Sequence, residues 1–372
     1  LIVSLIVLLH TKVDWSGILK DNFALLCLYA FVGLSILWSD QMFLSFKRWV
    51  RLAEVIPIAM VVLSERAPLA AMESIFRRCA YVLIPFSIVL AKYYPYLGVS
   101  YGRWSGFLSW NGVTLTKNAL GHLCLVSSFF LIWAFFRDRK NGISALSRTF
   151  ADGLVLVIAV YLLFGGSGGF SATSTTNFGL VTLCMMFLYT MGAKAHRIST
   201  ILIGCVVLAW IALIFSDSFS STFTSMVGRD ETFTDRTLIW AMALSDAAQN
   251  PILGTGFGSY FATDNEFSNT FGYTGHNGLL DVYVELGAVG VLILLGFVLS
   301  FFKKVRGTLT RSFDWGVFGI CILIMSMLAN YTESLFMKSS SYIWASMIFL
   351  NILFFKSHPP VIPPSTAVSK RD

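Results

Sequence analysis

Apolar runs close to the length of a bilayer crossing recur along this 372-residue chain, and that excludes most folds at once. Hydrocarbon offers no water to backbone N–H and C=O groups, so a crossing segment has to be a helix or part of a closed barrel. A helix rising 1.5 Å per residue needs about 20 mainly apolar residues for the purpose. Eleven stretches are candidates: approximately 1–9, 22–38, 46–63, 75–91, 118–136, 154–164, 177–191, 199–215, 278–302, 315–330 and 341–355. Composition agrees, with 56% hydrophobic residues, 13% charged residues and a mean hydropathy of +0.72, where a soluble domain carries about 25% charge. The chain reads as an all-α membrane protein. Its sixth run is short and meets Gly165-Gly166-Ser167-Gly168-Gly169. There it either breaks or continues through the Ser/Thr-rich Ser171–Thr176. Irregular backbone at that depth is tolerated only against protein or a wet cavity.

The 27 Lys and Arg residues give the chain a direction. If the connections alternate sides, eighteen fall on one side, including Arg66, Arg77, Arg137, Lys194, Lys303 and Lys356. Six fall on the other (Lys92, Arg103, Lys117, Arg229, Arg236 and Lys338), and Lys47, Arg48 and Arg51 lie within the third run. Positive residues mark the cytoplasmic side, so the long polar segment Ser216–Asn277 and the loop Tyr93–Lys117 face outward. Leu1 then lies outside, and a cytoplasmic start calls for one further helix upstream, twelve in all. Four parts are expected: residues 1–215 as membrane helices, 216–277 as a largely helical outer segment, 278–356 as the last three spans, and 357–372 as a disordered tail. The net charge of +7 follows from the same bias and argues for no nucleic-acid partner. The six cysteines lie in or beside apolar runs without a C-x-x-C pair, so they read as small core residues.

One motif stands at the junction of the outer segment with the ninth span. His276-Asn277 is followed by nine residues and then by Gly287-Ala288-Val289-Gly290. This pattern resembles the signature of the O-antigen ligase and polymerase superfamily of bacterial membrane glycosyltransferases. Weaker likenesses run from Gly112–Gly121 through Pro251–Phe257. The run Gly228-Arg229-Asp230-x-Thr232-x-Thr234-x-Arg236-Thr237-x-Ile239-Trp240 is similar to the exopolysaccharide-polymerase branch. The resemblance implies a helical fold of the GT-C type and twelve spans with both ends inside. It also implies transfer of a glycan from an undecaprenyl diphosphate carrier to an acceptor, at the periplasmic face of the inner membrane, without metal, nucleotide sugar or other cofactor. The acceptor is either another carrier-linked glycan (polymerase) or a lipid A core (ligase). Membrane lipids, a chain-length regulator and a flippase are the further partners it suggests. Relatives often carry a basic residue where Ser171–Thr176 has none.

The residues themselves suggest how such chemistry would run. Diphosphate is already a good leaving group, so the protein has to neutralise its growing charge and orient a hydroxyl at the anomeric carbon, with inversion. His276 and Arg236 are the candidate catalytic pair. Imidazole titrates near neutrality and suits a proton acceptor, although a lone histidine at a helix start is as often a cap. Arg236 falls in the first turn of a helix expected from Thr234 or Asp235 to Ala248, where an anion is attracted. That helix is expected to lie on the membrane or close over a cavity. Arg229 lies beside Asp230 and Glu231, so it reads either as a solvated ion pair or as a second fork for diphosphate. Arg103, Lys117, Arg48 and Arg51 are the remaining candidates for the diphosphate. Asn277, Asp281 and Glu285 are expected to support His276, since carboxylates inside a span mark a functional or paired site. Arg48, Arg51 and Glu54 are read as a similar buried set. Gly254-Thr255-Gly256-Phe257-Gly258 is either a plain turn or a nest of N–H groups for phosphate. No His/Cys/Asp cluster has zinc spacing.

Two other classes remain in view. A secondary transporter would explain broken helices and intramembrane charge. A rhomboid-like serine protease would use Ser167 in Gly165-Gly166-Ser167-Gly168, with His122 as partner.

Overall fold

The computed structural model describes residues 1–11, 14–101, 106, 108–142, 146–166, 169–215, 231–262 and 274–354, with the backbone alone at 211–215 and 231–238. The helices are α1 (Ile2–His10), α2 (Trp15–Asp21), α3 (Phe23–Leu34), α4 (Met42–Ala53), α5 (Val55–Leu63), α6 (Pro68–Tyr93), α7 (Pro95–Gly98), α8 (Lys117–Lys140), α9 (Leu146–Leu163), α10 (Ala172–Met191), α11 (Ala195–Phe215), α12 (Glu231–Ala247), α13 (Gly278–Arg311), α14 (Phe313–Thr332) and α15 (Tyr342–Leu353). Among the described residues one small hairpin joins them, β1 (Val99–Tyr101) with β2 (Leu108–Trp110), antiparallel with Val99 opposite Trp110. It sits in the aromatic outer loop. The all-helical reading holds.

Six helical stretches are long and apolar enough to cross a membrane, and the bent pair Trp15–Asp21 and Phe23–Trp38 makes a seventh if counted as one. Each of the eleven expected runs has a helix, but not each is a full crossing. The α1 helix has 9 residues and α15 has 12. The runs 177–191 and 199–215 belong to one 39-residue stretch, Ala172–Trp210, turned at Gly192–Lys194. The third expected run joins the end of α4 to α5 across a break at Glu54. The α4 helix is strongly amphipathic, with Met42, Phe43 and Phe46 exposed and Ser45 and Leu52 buried. Such a helix lies along an interface. Arg51 and Glu54 are exposed, so the buried set expected there does not form.

Packing centres on α14 and α8, both buried on most sides. Their seam is aromatic: Phe318 stacks on Phe129 at 5.6 Å and meets Trp133 at 4.7 Å. The Trp133 indole N–H donates to the Asp314 carbonyl at 2.9 Å, which satisfies its one polar atom.

Two charge sets tie helices together. At one end of α6, α8 and α9, Arg77 pairs with Glu73 (2.7 Å) and Asp152 (3.1 Å), and Arg137 with Glu73 and Asp138 (both 2.5 Å). Arg148 reaches Asp138 at 2.8 Å, and the Tyr81 hydroxyl donates to Asp152 at 2.7 Å. Three guanidinium groups thus face three carboxylates. Elsewhere Lys304 of α13 is buried and fully engaged, at 2.8 Å from Asp21 and donating to Asn22 Oδ1 and the Asn351 carbonyl at 2.9 Å. It joins α13 to the α2–α3 elbow and to α15.

The α13 helix is broken. Gly287 has φ 63° and ψ −168°, a region open essentially to glycine alone. A Cβ there would stand 2.2 Å from the Ile252 carbonyl oxygen. The break frees backbone groups, and the loop before it takes them up. Ala288 and Val289 N–H donate to the Pro251 and Ile252 carbonyls (2.9 and 3.1 Å), while Thr255 and Gly256 N–H donate to the Val284 and Glu285 carbonyls (3.1 and 2.8 Å). Residues 278–286 therefore form a half-helix interlocked with the outer segment.

Candidate functional site

The half-helix begins at Asn277, whose side-chain oxygen accepts from Leu279 and Leu280 N–H at 3.1 and 3.2 Å. That satisfies two of the amides a helix start leaves open. His276, just before it, has φ 51°, uncommon for a residue with a side chain. The peptide preceding it is held from both sides. Gly275 N–H donates to Asp281 Oδ1 at 2.9 Å, and the Gly275 carbonyl accepts from the Trp240 indole at 3.0 Å. So held, the imidazole faces Glu333, with Nδ1 3.8 Å from Oε2, and Nδ1 has no hydrogen-bond partner among the described residues.

Glu333 opens the connection between α14 and α15. Asn330 folds that connection by accepting Leu335 and Phe336 N–H at 2.9 and 2.8 Å. The other Glu333 oxygen accepts from Asn118 Nδ2 at 2.7 Å. Asn118 lies in the first turn of α8, capped by Thr116 through Ala119 N–H. Further along, Met337 has φ 53°, and Lys338 sets its ammonium 3.3 Å from Asp281 Oδ2 and 5.5 Å over the Phe261 ring. Burial pulls the Lys338 pKa down, but the charges of Glu285 and Asp281 outweigh it and hold the group above the ordinary lysine value.

These pieces surround a polar cavity of about 400 Å³ lined by Arg48, Arg51, Asn118, His122, Glu285, Glu333, Lys338 and Ser339–Ser341. Arg48 donates to the Gly258 carbonyl, and Gly258 lies beside the Glu285 carboxylate. Three cations and two carboxylates in one cavity suit a polyanion together with a group that handles a proton.

The expected residues fall out as follows. His276, Asn277, Asp281 and Glu285 come together on or beside the half-helix, and Glu285 lines the cavity with Oε1 lacking a hydrogen-bond partner among the described residues. These carboxylates sit ahead of the Gly287 break, not midway along a continuous span. Arg48 and Arg51 both line the cavity, carried there by α4. Lys117 starts α8 but its ammonium lies beside Gly169, away from the lining. Arg229 and Arg103 lie outside the described residues. Arg236 lies about one turn before Trp240 in α12, and its side chain is likewise outside them.

One alternative falls and one expectation changes. The Gly254–Gly258 run is not a phosphate nest. Four successive amides, of Gly254, Thr255, Gly256 and Phe257, are spent on Asn250, Val284, Glu285 and Ser35 oxygens, so they do not gather round an anion. The outer helix starts earlier than expected, at Glu231, and packs on protein. Ile239, Ala243 and Ala247 bury against Leu280 and Val284 of the half-helix and against Tyr260 and Phe261. Glu333, Asn118 and His122 were not anticipated in the site. Their only signal was position, at the outer ends of α8 and α14 by the charge bias. Ser167 lies outside the described residues; His122 is buried at the cavity, with Nε2 unpaired among the described residues.

Comparison with known proteins agrees with this architecture. Residues 154–295 match the family model described as O-antigen ligase, a region that runs from α9 through the Gly287 break. The chain is also 25% identical over 322 residues to the exopolysaccharide production protein ExoQ of Rhizobium meliloti (strain 1021), covering 81% of this chain and 70% of that protein. Together with the His276–Gly290 signature, these matches make the chain similar to the O-antigen ligase and polymerase superfamily, and its apolar helices are those of a multi-pass membrane protein.

Proposed function

We propose that this chain lengthens or transfers a glycan carried on undecaprenyl diphosphate, working at the periplasmic face of the bacterial inner membrane. The observation that carries the reading is His276 set against Glu333 at the edge of a cavity that also holds Arg48, Arg51 and Lys338. In this reading the three cations neutralise the diphosphate, with Arg236, Arg229 and Arg103 added from the outer segments. Preorganised charge of this kind acts on the leaving group as its negative charge grows.

The proton has a path as well. An acceptor hydroxyl gives its proton to Nε2 of His276, the ring nitrogen away from Glu333. Its oxygen then bonds the anomeric carbon while the carbon–oxygen bond to diphosphate breaks, and the diphosphate departs with that electron pair. Attack opposite the leaving group inverts the centre. Glu333, on the Nδ1 side, orients the ring and balances the imidazolium that forms, the part a carboxylate plays behind a catalytic histidine elsewhere. Asn277 and Asp281 fix the backbone from which His276 projects. The likeness to an exopolysaccharide production protein favours polymerisation over ligation to lipid A core.

The test is genetic and biochemical. His276→Ala and Arg236→Ala are each expected to abolish polymer, or capped lipopolysaccharide, at unchanged protein level. Normal glycan from both variants would refute the assignment.

A further inference from the structure

The guanidinium and carboxylate groups of α6, α8 and α9 cancel one another, whereas another corner of the bundle is cationic alone. The α13 helix runs from the polar cavity to Arg311, so Lys303 and Arg306 stand near its opposite end. There Arg306 meets the start of α11, with Nη2 3.5 Å from His196 Nδ1. Lys194 and Arg197 flank that imidazole in sequence and are exposed, as is Lys303 one turn before Arg306. Among the described residues none of these four cations has an ion pair. Arg306 is the informative one. It is partly buried, and its Nε is buried with no hydrogen-bond partner among the described residues. A neutral imidazole does not balance a guanidinium, and a charge drawn out of water without a counter-ion is costly. The described residues bring no carboxylate to it, so an anion from outside the chain fits there.

The surfaces that lead to this corner are apolar. On α13, Leu292, Leu299 and Arg306 are seven residues apart and share a face, with Leu295 and Lys303 beside them, and all three leucines are exposed. On α11, Arg197, Ile201 and Leu208 share a face in the same way, and Ile201 and Leu208 are exposed. The two helices touch. Two exposed apolar stripes therefore run along neighbouring helices, and both end in cations beside the contact of His196 with Arg306.

We infer that an anionic phospholipid is held at this corner, in the leaflet remote from His276. Its phosphate sits on Arg306 with Arg197 and Lys303 around it, and its acyl chains lie along the α11 and α13 stripes. Two observations select the occupant. The planar fork of arginine matches phosphate oxygens, and four cations without a paired carboxylate favour a headgroup of net negative charge. The apolar stripe also has the right length. Leu292 lies eleven residues before Lys303, about 16 Å at 1.5 Å per residue, and one leaflet contributes about 15 Å of hydrocarbon. The site is separate from the polar cavity and does not depend on the reaction proposed above.

The experiment titrates the full chain in neutral detergent with phosphatidylglycerol, with phosphatidylcholine of the same acyl chains and with inorganic phosphate, and counts bound molecules by native mass spectrometry. The unaltered protein is expected to hold phosphatidylglycerol about tenfold more tightly than phosphatidylcholine, the size of one hydrogen bond to a charged group. Arg306→Gln should remove most of that preference. Arg311→Gln, which deletes an exposed cation at the end of the same helix, should leave it in place. In the unaltered protein an acyl-chain diazirine on phosphatidylglycerol is expected to label α11 near Ile201 or α13 near Leu299, a readout that stands even where Arg306→Gln fails to fold. Equal affinity for the two lipids would overturn the site. Equal losses in Arg306→Gln and Arg311→Gln would reduce it to diffuse surface charge and overturn it as well. Inorganic phosphate bound as tightly as phosphatidylglycerol would overturn the lipid as occupant, and so would labelling confined to other helices.

Discussion

Replacing Gly287 by alanine strikes the break on which the site is mounted. At φ 63° and ψ −168° a residue with a Cβ carries about 1–3 kcal/mol of backbone strain. The new methyl would stand 2.2 Å from the Ile252 carbonyl oxygen, where ordinary contact begins at 3.4 Å, so the loop has to retreat by more than an ångström. The four backbone hydrogen bonds that lock loop to half-helix span 2.8 to 3.1 Å and do not survive such a shift. At about 1 kcal/mol net each their loss and the strain together come to about 5–7 kcal/mol, comparable with the whole stability of many domains. Gly296→Ala, in the same helix with nothing within 4 Å of a Cβ, is the matched control. It should gain about 0.5–1 kcal/mol from helix propensity. Denaturant unfolding in detergent, followed by helical circular dichroism, compares the two. Should Gly287→Ala fall within about 1 kcal/mol of Gly296→Ala, the interlocked break is not a source of stability and the reasoning fails.

Glu333→Gln keeps an oxygen for Asn118 but removes the charge facing His276; it is expected to lower kcat about 100-fold with KM little changed, and an unchanged kcat would remove Glu333 from the mechanism. Lys304→Met strands the Asp21 carboxylate, which should cost about 3–5 kcal/mol; adding Asp21→Asn should recover part of that loss in a thermal melt, and no recovery would contradict the pairing. Lys338 has a raised pKa in the fold, so its pairing stabilises fully below the ordinary lysine value near 10.4 and fades as pH climbs through the folded value. The stability difference between the parent and Lys338→Met is therefore expected to stay flat from about pH 6 to pH 9 and to shrink only above that; shrinkage near neutrality would tell against the pairing. Ser167→Ala is expected to leave glycan output untouched, and its loss would revive the protease reading.

Much of the bundle was legible because apolar run length and helix rise are tied by geometry. Where a run was misjudged, two helices had merged across a break that composition does not mark. The stretch 46–63 joins the amphipathic end of α4 to α5, and only the i, i+3 spacing of Arg48 and Arg51 hinted that α4 turns one face to a cavity. The His276–Gly287 spacing was visible as a resemblance, and the fold supplies its reason. Asn277 caps a half-helix of nine residues and Gly287 ends it, so the interval is the length of that piece. Glu333 was out of reach for a different cause. It meets His276 only because Asn330 turns the chain back after α14, a long-range juxtaposition with no local pattern. The glycine run left a turn and a nest both open because glycine serves a nest and a close backbone approach equally well, and the turn is the reading that stands.

The six-residue network of Glu73, Arg77, Arg137, Asp138, Arg148 and Asp152 has a mechanical corollary. It clamps α6, α8 and α9 at the end remote from Lys117, and its charges cancel. Helices pinned at one extremity can part only at the other. Any loosening that admits a guest therefore fans the bundle outward from a fixed root, leaving the inner rim sealed while the outer rim breathes.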